Sequence, residues 1–269
     1  MKYFILLRES LRYVVRSRLL YLVLAFSFGL HFLGLKTLKA VTVNVQGMVS
    51  SVGPREGIFV SLFFSLFMGT FVSVVYGIWM VPYQHQGPRS QLTFVLPLSK
   101  WLYPAVYGTV HLILMLIEFA ILFLSFGAIY GWGELQGSYF SWPAVLTCLS
   151  IELLAFWFFL FAFSFFSMTV GQVTTFFIGV MSFFMLQVAG AGFRLGLEEY
   201  GHLSGNWESY HQIYRLFPPM GELIFNLKTV FSKGTVPVDH LVSWVVWILV
   251  FVLLFRWKLR FPIASKSTE

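Results

Sequence analysis

Charge is scarce in this chain. Only 11 % of its 269 residues are Asp, Glu, Lys or Arg, while 58 % are apolar and mean hydropathy is +0.79. Soluble domains carry roughly 25 % charged residues, so a soluble enzyme, a disordered chain and a nucleic-acid-binding module are excluded. Cysteine is nearly missing too. Cys148 is single, so no disulfide within the chain and no cysteine-based metal site can form. The phosphate-cradling motif G-x-x-x-x-G-K-[ST] does not occur. Nor do alternating polar and apolar segments of about ten residues, which excludes a porin-type barrel.

What the sequence has is long apolar runs with 32 Phe. A span needs about 20 mainly apolar residues. Six runs are candidates, at about 19–35, 58–81, 104–130, 143–168, 173–193 and 241–255. The fourth and fifth are divided at 167–175, around Gly171 and Gln172. The reading is an all-α polytopic membrane protein, one transmembrane domain over 1–269. Residues 1–18 place Phe4, Leu7, Leu11, Val14 and Val15 on one helical arc beside Arg8, Arg12 and Arg16. That pattern predicts a helix lying in the headgroup plane against membrane lipids.

Lys and Arg distribution sets orientation. Alternate pieces (1–18, 82–100, 256–269) hold Lys2, Arg8, Arg12, Arg16, Arg18, Arg89, Lys100, Arg256, Lys258, Arg260 and Lys266 against only Glu9 and Glu269. The other pieces hold seven cations and seven acids. Both termini are therefore expected in the cytoplasm of a multi-pass plasma-membrane protein.

Between the second and third runs, Gly87-Pro88 makes a turn, and 90–96 can form a short helix stopped by Pro97. The sequence here resembles the permease subunits of type-2 ABC exporters, which commonly carry an acid, Gly-Thr, a short helix and Pro-x-Ser-Arg before their third span. This chain has Gln86-Gly87-Pro88 and Pro97-Leu98-Ser99-Lys100 at that spacing. Gln84 and Gln86 stand where the acid is usual, and Pro88 replaces Thr. The resemblance implies a permease of a bacterial inner-membrane exporter, with no cofactor of its own. ATP and Mg would belong to a separate ABC ATPase subunit, present in two copies. A second permease chain would complete the pathway. The coupling residues would be Gln86, Gly87, Arg89, Ser90, Leu92, Pro97, Ser99 and Lys100.

Two carboxylates interrupt the apolar runs, Glu118 in the third and Glu152 in the fourth. An ionised carboxylate at the centre of a span costs about 2.5–3.5 kcal/mol on insertion scales. Each is therefore expected to face the bundle interior, to find a donor or to be neutral. His111 precedes Glu118 by seven residues on the same helical face, which makes it the expected titratable neighbour. A polar site on a transport route, a proton-linked pair, and an interhelical hydrogen bond with both acids protonated are all open.

Ahead of the last run, Pro218, Pro219 and Glu222 fit the start of a short outer helix over 217–231. Too short to span, it is expected to rest on or dip into the outer leaflet. Glu198, Glu199, His202, Glu208 and His211 show no tight ligand spacing, so a solvated face rather than a metal site is expected. Two rival readings stand beside the exporter: an integral membrane enzyme acting on lipid or peptide, and an ABC-like permease that anchors a larger machine.

Overall fold

The computed structural model describes residues 2–40, 42–45, 48–51, 53–82, 99–136, 141–202, 205–215, 217–218, 222–234 and 238–259. They are helical apart from one small hairpin. The helices are α1 (Lys2–Arg16), α2 (Arg18–Ala40), α3 (Pro54–Val75), α4 (Leu102–Tyr130), α5 (Trp142–Val170), α6 (Gln172–Tyr200), α7 (Asn206–Tyr214), α8 (Leu223–Lys233) and α9 (Val238–Lys258). Between α2 and α3, β1 (Thr42–Val45) pairs antiparallel with β2 (Met48–Ser51), Thr42 opposite Ser51 and Val45 opposite Met48. The sequence reading did not anticipate this hairpin. Its signal is a run rich in β-branched residues, interrupted by Gln46-Gly47.

Five helical stretches among the described residues are long and apolar enough to cross a membrane: Arg18–Ala40, Pro54–Met80, Leu102–Tyr130, Trp142–Val170 and Val238–Lys258. The chain is a multi-pass membrane protein. The expected fifth run, 173–193, lies within α6, which continues to Tyr200. Arg194 Nε donates to Glu198 Oε1 at 2.8 Å, four residues on. The two charges thus support the helix instead of ending it. Termination falls to Gly201, whose φ of 68° is left-handed. At the other end, Gly171 with φ 96° separates α5 from α6.

α3 lies at the centre, packed on α2, α4 and α5, with α9 along the outer side of α5. Small residues allow the close approach. A Cβ on Gly69 would strike the Phe156 ring, and one on Gly77 would stand 2.8 Å from the Leu160 carbonyl oxygen. Aromatic residues fill the α5–α9 seam, where Phe158 meets Trp244 and Phe165 meets Phe251, edge-on or tilted. Those pairs advance together along both helices, so α5 and α9 run in the same direction.

The two ends of the bundle are fastened differently. At one, the Arg256 guanidinium of α9 lies 4.0 Å from the Trp101 ring beside the start of α4. α1 packs against α4 at this basic end, and Tyr3 Oη is 2.6 Å from Thr109 Oγ1. At the hairpin end, Lys39 Nζ of α2 donates to the Ile129 carbonyl of α4 at 2.6 Å. In α1 the apolar arc divides: Val14 is buried with Ser10, whereas Phe4 and Val15 stay exposed beside Arg8, Arg12 and Arg16. α1 thus has one face on protein and an exposed face both apolar and basic.

α8 begins at Leu223, later than the prolines suggested. Pro218 is buried and non-helical ahead of it, Pro219 lies outside the described residues, and Glu222 occupies the N-cap. Leu223, Leu227 and Val230 are buried, and α8 packs on α3 and α5. Its Leu227 carbonyl accepts from Cys148 Sγ at 3.7 Å, six residues into α5. At about 1.5 Å per residue, α8 reaches roughly 9 Å below the start of that span.

Candidate functional site

Polar side chains inside an apolar bundle are expensive, and each one needs a partner. Four helices contribute them here. Glu118 of α4 is 0 % exposed. Ser27 Oγ of α2 lies 2.6 Å and 2.7 Å from its two oxygens, so one hydroxyl proton is shared between them. His31 Nε2, one helical turn further along α2, is 3.1 Å from Oε1. Facing a carboxylate, Nε2 carries the proton, and the buried Nδ1 is left without a partner.

His111 and Glu118 share a face of α4 but do not bond to each other. Seven residues along a helix is about 10 Å, too far for a hydrogen bond. Each instead faces a different helix. His111 Nε2 is 2.8 Å from Ser73 Oγ of α3, which also lies 2.6 Å from the Gly69 carbonyl. With Ser73 donating to that carbonyl, His111 donates from Nε2 to the serine oxygen. The Tyr76 ring stacks on His111 at 6.2 Å between centroids.

Glu152 of α5 is also 0 % exposed, and among the described residues neither of its oxygens makes a hydrogen bond of good geometry. Its polar neighbours are Ser65 of α3 and the Glu118 carboxylate, near enough to interact electrostatically. Glu118 and Glu152, on neighbouring helices, are thus close in depth; Glu118 has found donors, and Glu152 faces the bundle interior.

No protein-family model matches the chain, and no curated protein matches it. The site is therefore read from its own chemistry.

The sequence reading singled out both acids and passed over Ser27, His31, Ser65 and Ser73. Ser27 and His31 are spaced i, i+4 on an otherwise apolar helix, which puts both on one face. That spacing was available as a signal. Ser65 and Ser73 offered less, since serine in a membrane helix commonly returns its hydroxyl to a carbonyl one turn back. Ser61 does so to Gly57, and Ser164 to Leu160.

The coupling segment is described only at its end. Gln86, Gly87, Arg89, Ser90, Leu92 and Pro97 lie outside the described residues. Ser99 is exposed and its carbonyl accepts from Leu102 N at 2.9 Å; Lys100 is half-buried in the turn that follows. On the other side of the segment, α3 ends in a π-helical turn, Tyr76–Met80. Such a turn frees backbone carbonyls. Ser167 of α5 answers one, its hydroxyl donating to the Ile78 carbonyl at 2.8 Å.

The other candidates separate. Glu222 Oε2 is 3.4 Å from His240 Nε2, and Asn226 Nδ2 is 2.7 Å from His240 Nδ1, which ties α8 to the first turn of α9. His211 is buried in α7 against Phe193, 5.2 Å between ring centroids. Burial and the Arg215 guanidinium lower its pKa from the usual 6.5, against an opposing pull from Glu222. Glu198 is taken by Arg194, and Glu199, His202 and Glu208 are exposed. Among the described residues no group of three metal-ligating side chains comes together.

Proposed function

We propose that the chain is the permease subunit of an ABC exporter of the type-2 class, with six spans and both termini in the cytoplasm. The observation that carries this reading is the layout of the bundle around 83–100. The segment leaves the π-turn of α3 and returns at Ser99, on the end fastened by Arg256 and Trp101. The same end holds the cations of α1 and the last turn of α9. It is the end that the positive-inside rule assigns to the cytoplasm.

The sixth crossing is supported by direction. α5 and α9 run the same way, so the chain returns between them, and α6, 29 residues or about 43 Å, has the length to do it. α1 is read as an interfacial helix, with Phe4 and Val15 in the acyl boundary and Arg8, Arg12 and Arg16 at headgroup level. In this reading ATP hydrolysis takes place on two copies of a partner ATPase. Its closure pushes on 83–100, and the push reaches α3 and α5 through the π-turn. A second permease chain completes the pathway. Full burial of Glu118 and Glu152 weighs against the membrane-enzyme alternative, because a catalytic carboxylate has to meet its substrate.

Co-purification with an ATPase subunit tests the reading. One ATPase per permease is expected, with cysteines at Arg89 and Lys100 cross-linking to it. Purification from the native membrane without any ATPase sinks the exporter assignment. An intact complex with no cross-links across the segment moves the docking element elsewhere.

A further inference from the structure

The Glu152 carboxylate is the buried group hardest to account for. It is fully enclosed, and among the described residues neither its oxygens nor the Ser65 Oγ beside it makes a hydrogen bond of good geometry, although the two side chains are near enough to interact. The groups facing it from each neighbouring helix can be named. On α2, Ser27 and His31 are both engaged by Glu118. On α3, Ser65 is the one polar neighbour, and on α4 it is Glu118, of the same charge. On its own helix, Cys148 gives its S–H to the Leu227 carbonyl of α8.

The remaining charges of the surrounding helices lie near their ends or point away. Arg18, Lys36 and Lys39 are at the ends of α2, and Arg55 is in the first turn of α3. Asp239, His240, Arg256 and Lys258 occupy the first and last turns of α9. Arg194, Glu198 and Glu199 are in the last two turns of α6. On α8, Glu222 is held by His240 and Lys228 is exposed.

We propose that Glu152 binds a proton, and that the meeting point of α2, α3, α4 and α5 is an intramembrane proton site with Glu152 as acceptor and the Glu118 carboxyl group beside it. An isolated ionised carboxylate in a low-dielectric interior takes up a proton rather than bear the desolvation cost. The two acids are not equivalent. Glu118 accepts from Ser27 and His31, whereas Glu152 has the Ser65 hydroxyl beside it without a well-formed bond. One added proton gives Glu152 an O–H for the Ser65 oxygen, so both unpartnered groups are satisfied at once. Loss of that proton to water leaves an unpaired charge in hydrocarbon next to a second carboxyl group, which loosens the packing of α4 and α5. Proton occupancy and closure of the bundle are thereby linked. The inference is independent of the exporter reading, since it needs no ATPase.

Infrared spectroscopy of the full chain in lipid bilayers at neutral pH reads this directly. The carbonyl stretch of a protonated carboxylic acid is expected in the wild type, shifting on prolonged incubation in D2O. It is expected to vanish in Glu152→Gln and to persist in Glu118→Gln. If Glu152→Gln does not fold, Glu152→Asp keeps the acid and should move the band. No such band, or one that follows Glu118, overturns the proposal. A band lost in both Gln variants assigns the proton to the pair and overturns the assignment to Glu152. A band that never shifts in D2O marks a sealed acid and overturns the site as one that binds and releases protons.

Discussion

Glu118→Leu removes the acceptor from two buried donors at once, the Ser27 hydroxyl and His31 Nε2. Each orphaned donor costs about 1–3 kcal/mol. Ser27 has an escape, since a helical serine can turn its hydroxyl to the carbonyl four residues back. His31, 0 % exposed and held at Nε2 only by Glu118, has none. The expected loss is therefore about 2–4 kcal/mol rather than the full sum of two orphans. Glu118→Gln keeps an amide oxygen in nearly the same place and gives up only the charge assistance, for about 1 kcal/mol. Reversible unfolding in mixed detergent micelles measures both. A cycle with His31→Phe isolates the pair. The double variant Glu118→Leu/His31→Phe should be less damaged than the two single changes added, by about 1–2 kcal/mol, at the upper end of interhelical hydrogen bonds measured in membranes. Strict additivity, or a Leu variant as stable as wild type, would show that the Ser27–Glu118–His31 contact does not hold α2 to α4.

Gly77→Ala should destabilise by about 1–3 kcal/mol, because the new methyl meets the Leu160 carbonyl, which cannot swing aside as a side chain could; the same unfolding titration reads it, and an unchanged midpoint refutes the close α3–α5 approach. Arg256→Gln should cost about 0.5–2 kcal/mol by removing the cation from the Trp101 face, and a Trp101→Leu background should abolish that cost. His211 gives a pH signature. Its folded pKa lies below 6.5, so the unfolded chain binds the proton more readily and stability falls as pH drops through 6.5. His211→Gln should flatten the decline in melting temperature between about pH 7 and pH 5; parallel declines in the two proteins refute the assignment.

Five of the six expected spans were legible because hydrocarbon imposes a simple demand, about 20 apolar residues in a helix. Even the one-residue break at Gly171 could be read from the local polarity around it. Where α6 ends was not legible, because Arg194 and Glu198 look like a boundary until their four-residue spacing closes an ion pair. The site was half legible. Two acids in apolar runs announce themselves, but their partners do not, since helical spacing says which residues share a face and not which helix that face meets. His111 and Glu118 share a face of α4 and still bind different helices, Ser73 on α3 and His31 on α2. The start of α8 was displaced for a related reason: proline permits a helix start without requiring one, and Glu222 took the cap.

The π-turn at Tyr76–Met80 also fixes the phase of everything that follows it. It holds one residue more than an α-helical turn would. Because the wider turn absorbs that extra residue, deleting one residue there would restore α-geometry with little rotation of the chain that follows. A deletion within 54–75, which is regular α-helix locked by its contacts with α2, α4 and α5, has no such slack and would rotate everything after it by about 100°. The π-turn is thus the place in this helix where a residue can be lost while the chain still enters 83–100 from nearly the same side.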